Sequence, residues 1–200
     1  MTNTYHLVTL GCPKNQVDSD KLAGTLIADG MRATEDVNQA DLIVVNTCAF
    51  IDEARRESID TVLALADERR DGARLVVTGC MAERYGDELA EVLPEADQVS
   101  GFGVPVTLSS KPVPSFDLLN LPRPLSDRPW AYVKVAEGCD RACGFCAIPT
   151  FRGPQRSRAL DDVLAEVDAL DVQEVVLVAQ DLAAYGRDQG AGDKAIIPLV

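Results

Sequence analysis

Along the chain, short β-branched apolar runs alternate with stretches whose apolar residues recur at helical spacing. Tyr5–Leu10 is the first run and ends at Gly11. Asn15–Asp29 then reads as a helix with Val17, Leu22 and Leu26 inward, and Gly30 supplies a C-terminal stop. Asp41–Asn46 carries the strand run Leu42-Ile43-Val44-Val45. Asp52–Arg70 places Ile59, Val62, Leu63 and Ala66 at the i, i+3, i+4, i+7 positions of an amphipathic helix. Leu75–Thr78 is a third strand, followed by a helix from about Met81 to Leu93. Apolar strands separated by helices predict a parallel sheet covered on both faces. The expected fold class is α/β, with a flavodoxin-like or Rossmann-like domain over residues 1–104.

The pattern breaks over residues 105–129, where Pro105, Pro112, Pro114, Pro122, Pro124 and Pro129 crowd a stretch with no sustained period. Such a segment reads as an interdomain linker. Alternation then resumes over 130–200. Ala131–Ala136 is a strand, Leu160, Val163, Leu164 and Val167 mark one face of a helix, and Glu174–Ala179 is the next strand. This is βαβ logic, the opening of a second α/β domain. Two strands and a helix close neither a barrel nor a sheet and leave an open edge. The sequence is therefore expected to be a truncated piece that does not turn over alone.

Composition adds a soluble, globular character: 46% of residues are hydrophobic and 26% charged. No apolar run is long enough to span a bilayer, so no membrane partner is expected. The first ten residues lack the features of a signal peptide, which predicts a cytoplasmic protein. A net charge of −13 suits a basic protein partner better than a polyanion, so direct nucleic-acid binding is not expected. Six cysteines without an export signal point to metal or redox chemistry rather than disulfides. The one histidine, His6, lies in a strand-like run and reads as structural, so a metal site must rest on sulfur.

Cys139, Cys143 and Cys146 form a C-x3-C-x2-C loop just after a predicted strand. Three closely spaced thiolates suit a 4Fe-4S cluster with one iron left open for a substrate to chelate. The alternative is a structural zinc knuckle, which needs a fourth Cys or His, and none stands near the loop. Cys12, Cys48 and Cys80 are far apart in sequence, yet each follows directly on a predicted strand and precedes a helix. Strand C-termini of a parallel sheet share one edge, and a helix N-terminus favours a thiolate. A second cluster on these three is the reading preferred over three small, well-packed core cysteines.

These motifs resemble those of the radical S-adenosylmethionine (SAM) methylthiotransferase family. The resemblance rests on the C-x3-C-x2-C loop with Glu137-Gly138 before it and Arg152-Gly153-Pro154 to Ser157-Arg158 after it. It rests also on Gly11-Cys12-Pro13-Lys14-Asn15 with Asp18-Ser19, on Asn46-Thr47-Cys48 and on Gly79-Cys80. Cys12-Pro13-Lys14-Asn15 and Ala179-Gln180-Asp181 with Tyr185-Gly186 are similar to the RimO type, which modifies a ribosomal protein.

The resemblance implies two 4Fe-4S clusters and SAM as cofactors, with an external electron donor. The loop cluster chelates SAM and reductively cleaves it, giving a 5′-deoxyadenosyl radical that removes a hydrogen from the β-carbon of an aspartate. The cluster on Cys12, Cys48 and Cys80 delivers the methylthio group. The implied substrate is small-subunit ribosomal protein twelve. Phe145 is implied near the adenine, and Gln180 and Asp181 near SAM or substrate. The rival readings are methylthiolation of adenosine in transfer RNA, a non-catalytic iron–sulfur electron carrier, and a zinc-stabilised binding module. The family also has the rest of a partial (β/α) barrel and a C-terminal TRAM domain, neither of which this sequence contains.

Overall fold

A computed structural model describes residues 3–103, 106, 118–192 and 194–200. Its larger sheet has five parallel strands: β1 (Thr4–Thr9), β2 (Arg32–Ala33), β3 (Leu42–Thr47), β4 (Arg74–Gly79) and β5 (Gln98–Val99). Their spatial order is β2-β1-β3-β4-β5, the flavodoxin-like winding. The helices α1 (Pro13–Ala28), α2 (Asp52–Glu68) and α3 (Cys80–Val92) connect them. Alternate residues of a strand face opposite sides. Accordingly Ile43, Val45, Leu75 and Val77 pack with α2 and α3 in one core, while Leu42, Val44 and Val76 pack with Leu22 and Leu26 of α1 in the other.

Val17, Leu22 and Leu26 are buried as the spacing predicts. Of the stripe expected on α2, Val62 is buried and Ile59 and Ala66 pack against the same core, whereas Leu63 is 37% exposed and Ser58 and Leu65 are buried. Ser58 Oγ accepts from the Cys48 amide at 3.1 Å and donates within its own helix to the Ala54 carbonyl at 2.8 Å, which gives this buried polar residue its partners. The two-residue edge strands β2 and β5 carry too few apolar residues to announce themselves in the sequence.

In the second α/β segment, β6 (Trp130–Lys134) pairs in parallel with a later strand, Glu174–Val178. The strand expected over Ala131–Ala136 is broken. It ends at Lys134, and β7 (Ala136–Glu137) pairs antiparallel with β8 (Arg156–Ser157). The Arg158 amide donates to the carbonyl of Val135 at the break. A short helix α4 (Ile148–Arg152) and the longer α5 (Leu160–Leu170) precede the Glu174–Val178 strand, β9. Helix α5 buries Val163 and Leu170, whereas Leu164, expected on the same face, is 41% exposed. A sheet of only two strands, β6 and β9, offers a narrow surface to cover.

Residues 118–129 lie across both parts. Leu119 is buried, and a β-carbon on Gly24 of α1 would meet the Pro122 carbonyl oxygen at 2.5 Å. Arg123 pairs with Asp20 of α1 at 2.9 Å and donates to the Tyr132 carbonyl of β6 at 2.6 Å. Pro105, Pro112 and Pro114 lie outside the described residues. Beside this strap, the Glu166 carboxylate of α5 meets Lys21 at 3.0 Å, Arg158 at 2.6 Å and Arg123 at 3.2 Å. Burial lowers Lys21 to about 8 against the opposing pull of Glu166. Among the described residues, no helix is long and apolar enough to cross a membrane.

Candidate metal centres

Strands β1, β3 and β4 are adjacent and run the same way, with Thr9 opposite Asn46 and Thr47 opposite Gly79. Their C-terminal ends therefore lie along one edge. The edge carries Cys12 as the N-cap of α1, Cys48 just past β3 and Cys80 as the first residue of α3. Cys48 and Cys80 are buried and Cys12 is half-buried. The winding reverses between β1 and β3, the place where open α/β sheets bind ligands. Burial pushes the Cys80 thiol up against the opposing pull of the Arg152 guanidinium, and Cys48 and Cys12 add a little to its resistance to ionisation. A bound metal reverses that preference, because it coordinates the thiolate.

Asn15 holds the three loops in place. Its Nδ2 donates to the Leu10 carbonyl at 3.0 Å and to the Thr47 carbonyl at 2.9 Å, just before Cys12 and Cys48. Its Oδ1 accepts from the Cys80 thiol at 3.4 Å. Asn46 Nδ2 closes the arrangement by donating to the Asn15 carbonyl and to Ser19 Oγ, both at 2.9 Å. Gly79, with φ +92°, lets Cys80 follow its strand directly, since a β-carbon there would collide with Asn46 Oδ1.

The second cysteine set lies on the loop after β7. Cys139 is buried, Cys146 half-buried and Cys143 exposed. The Cys139 amide donates to the Gly153 carbonyl at 3.1 Å, and the Arg141 amide donates to Cys139 Sγ at 3.4 Å. An N–H aimed at sulfur is the outer-shell support expected of a thiolate ligand. Asp140 Oδ1 accepts from the Gln155 amide at 3.0 Å, tying the loop to β8.

Between the two sets sits a buried charge network. Lys134 Nζ pairs with Asp18 of α1 and with Glu137 at 2.7 Å. Arg152 Nη1 donates to both Glu137 oxygens, at 2.9 and 3.0 Å, and lies 3.3 Å from Asp18. Arg152 Nη2 donates to Asn15 Oδ1 at 2.8 Å and to Cys80 Sγ at 3.0 Å. The guanidinium stacks over Phe102, 4.3 Å from the ring centre. Burial alone would raise Glu137, but Lys134 and Arg152 outweigh it and hold the carboxyl at about 2.

Of the other residues singled out in the sequence, Gln180 Nε2 donates to Glu137 at 2.6 Å. Asp181 pairs with Arg141 on the cysteine loop. Phe145 is 88% exposed. His6, within β1 and before the edge that carries Cys12, has its Nδ1 2.9 Å from the Thr34 carbonyl. Arg152, Glu137 and Lys134 are the residues that sequence reasoning missed as a functional group, although Arg152 and Glu137 flank the cysteine loop inside the quoted motifs.

The donor set fits iron–sulfur ligation at both places. Among the described residues, no three His, Cys, Asp or Glu side chains converge tightly enough to hold a single metal ion. A cube spreads its thiolates over separate iron corners and needs them farther apart. Gln180 Oε1 and both polar atoms of the Gln155 amide are buried without a protein partner, leaving polar groups beside the cysteine loop for a ligand to satisfy.

A flavodoxin-type sheet with cysteines at three strand ends, joined to a C-x3-C-x2-C loop set on a βαβ unit, defines an α/β protein with two three-cysteine sites. A family model described as "Uncharacterized protein family UPF0004" matches residues 4–101. The ribosomal protein uS12 methylthiotransferase RimO of Anaeromyxobacter sp. (strain K) is 45% identical, over 94% of this chain and 44% of that protein. The protein of that name from Myxococcus xanthus is 46% identical over 92% and 43%, and that from Thermotoga maritima 42% over 90% and 45%. The chain belongs to the RimO-type methylthiotransferase family and spans less than half the length of these relatives. A solved structure, the cobalamin-dependent SAM radical enzyme OxsB, aligns with a TM-score of 0.44 and 12% identity over 90% of this chain and 34% of that one.

Proposed function

We propose that this chain is the cluster-holding part of a radical SAM methylthiotransferase whose substrate is an aspartate of ribosomal protein uS12. Residues 1–104 form the methylthiotransferase domain, 105–129 the connecting segment and 130–200 the beginning of the radical SAM domain. Cys139, Cys143 and Cys146 hold the cluster that binds SAM, and Cys12, Cys48 and Cys80 hold an auxiliary one. When bound, these clusters and SAM supply the radical and sulfur chemistry. Phe145, exposed beside Cys146, would pack against the adenine of bound SAM, and Gln180 and Asp181 would face SAM or substrate. The protein acts in the cytoplasm with an external electron donor.

One observation carries this reading: two cysteine triplets, from opposite ends of the chain, lie on either side of a single buried network in a chain 45% identical to a RimO protein. The network ties the strand-edge set to the segment that carries the cysteine loop, through Arg152 on Cys80 and on Glu137. A basic ribosomal protein suits the net charge of −13 better than transfer RNA does.

Iron, acid-labile sulfide and zinc per chain, after anaerobic reconstitution, test the site. The expected values are about eight irons with equal sulfide, falling by about half when either triplet is changed to alanine. Stoichiometric zinc without sulfide would refute it. The substrate is tested with the full-length protein carrying this chain, offered uS12 and transfer RNA in parallel and read by mass spectrometry. A methylthio group on transfer-RNA adenosine alone would overturn the assignment.

A further inference from the structure

We infer that Arg152 is a positioning residue that sets the reduction potential of the cluster on Cys12, Cys48 and Cys80, and that it does so from the neighbouring segment. The inference rests on the proposed reading that those cysteines hold a cluster. Arg152 belongs to α4, just beyond the C-x3-C-x2-C loop, yet its Nη2 lies 3.0 Å from Cys80 Sγ.

The guanidinium is held with little freedom. Its residue is 7% exposed, its other amino group bridges Glu137 and Asp18, and Phe102 covers one face. A planar fork held in this way directs one N–H at the sulfur and one at Asn15 Oδ1. Hydrogen bonds to the sulfurs and nearby positive charge favour the reduced, more negative form of an iron–sulfur cluster. Glu137 and Asp18 offset part of that charge, and Lys134 restores part by pairing with both. The arrangement thus joins the two cluster sites by one side chain: Arg152 touches Cys80, and through Glu137 it touches the residue two before Cys139.

The test uses the full-length protein with Cys139, Cys143 and Cys146 replaced by alanine, so that only the strand-edge cluster titrates. Iron and sulfide are measured first, and the midpoint potential is then followed by EPR. Arg152→Gln is expected to shift the equilibrium toward the oxidised form about tenfold, a fall of about 59 mV for a one-electron couple. Arg152→Lys, which keeps the charge but loses the fork, is expected to fall by less. Full iron with an unchanged potential in both variants would overturn the inference while leaving the cluster assignment intact. Iron and sulfide absent from the parent would sink both. If Arg152→Gln cannot hold iron, the parent labelled with 15N-arginine decides by pulsed EPR. A 15N coupling to the reduced cluster is expected, and its absence would refute direct contact.

Discussion

Gly11 lies against Cys48 so closely that a β-carbon on Gly11 would fall 2.8 Å from Cys48 Sγ. Its φ of +93° is a conformation that residues with side chains rarely adopt. Two cysteine loops, from strands β1 and β3, therefore meet where only a hydrogen fits. Gly11→Ala is expected to lose the strand-edge cluster, about half of the total iron, while far-ultraviolet circular dichroism stays native. Unchanged iron would show that the two loops can separate without losing their metal.

Glu166 carries the second prediction. Its carboxylate faces Lys21, Arg123 and Arg158, and their side chains are almost fully buried. Removing one partner of a buried ion pair leaves uncompensated charge and destabilises by about 3–5 kcal/mol. Glu166→Ala is therefore expected to lower the urea midpoint by that amount of free energy. A loss below about 1 kcal/mol would mean that the three cations find water.

Acid should weaken the contact between the two segments. Glu137 is held at about 2 in the folded chain, against an ordinary value of 4.5. A depressed carboxyl contributes stability that is complete above about 4.5 and is lost as pH falls toward about 2. Fluorescence of Trp130, the only tryptophan, reports on β6 next to this network. The expected result is a loss of stability within that window that flattens in Glu137→Gln. An equal slope in the variant would place the acid sensitivity elsewhere.

Alkali acts in the opposite sense at Lys21. Burial lowers it from 10.5 to about 8, so between those values the unfolded chain binds the extra proton. The contribution of this residue to stability therefore rises with pH across that window. Lys21→Met should remove the rise, as measured by urea unfolding at a series of pH values. A steeper rise in the variant would contradict the burial of the ammonium.

Phe145 is the clearest case of a residue whose loss the fold should not notice. At 88% exposure, Phe145→Ala is expected to change stability by less than about 0.5 kcal/mol. Equilibrium dialysis of SAM against the cluster-loaded full-length protein should show weaker binding. Equal affinity would remove Phe145 from the cofactor site.

Much of this was legible because periodic signals are local. Val17, Leu22 and Leu26 marked the buried face of α1, and the strand runs marked the sheet whose edge gathers Cys12, Cys48 and Cys80. On α2 the spacing found Ile59, Val62 and Ala66 against the core but drew the stripe too wide at Leu63, and it could not register that Ser58 accepts from the Cys48 amide. The charge network was illegible for a different reason. Lys134 meets Asp18 across 116 positions and Arg152 meets Asn15 across 137. Nothing in the neighbourhood of either residue announces such a partner. The residue that bridges the triplets thus lay in plain view within a motif, without its role.

The placement of Arg152 has a consequence for the order of synthesis. A ribosome releases the chain from its N-terminus, so the five-stranded sheet and its three edge cysteines emerge before Lys134 and Arg152. During that interval Asp18 has neither cation, and Cys80 lacks its guanidinium neighbour. The first half is thus born electrostatically incomplete and is finished only when the second half arrives to dock.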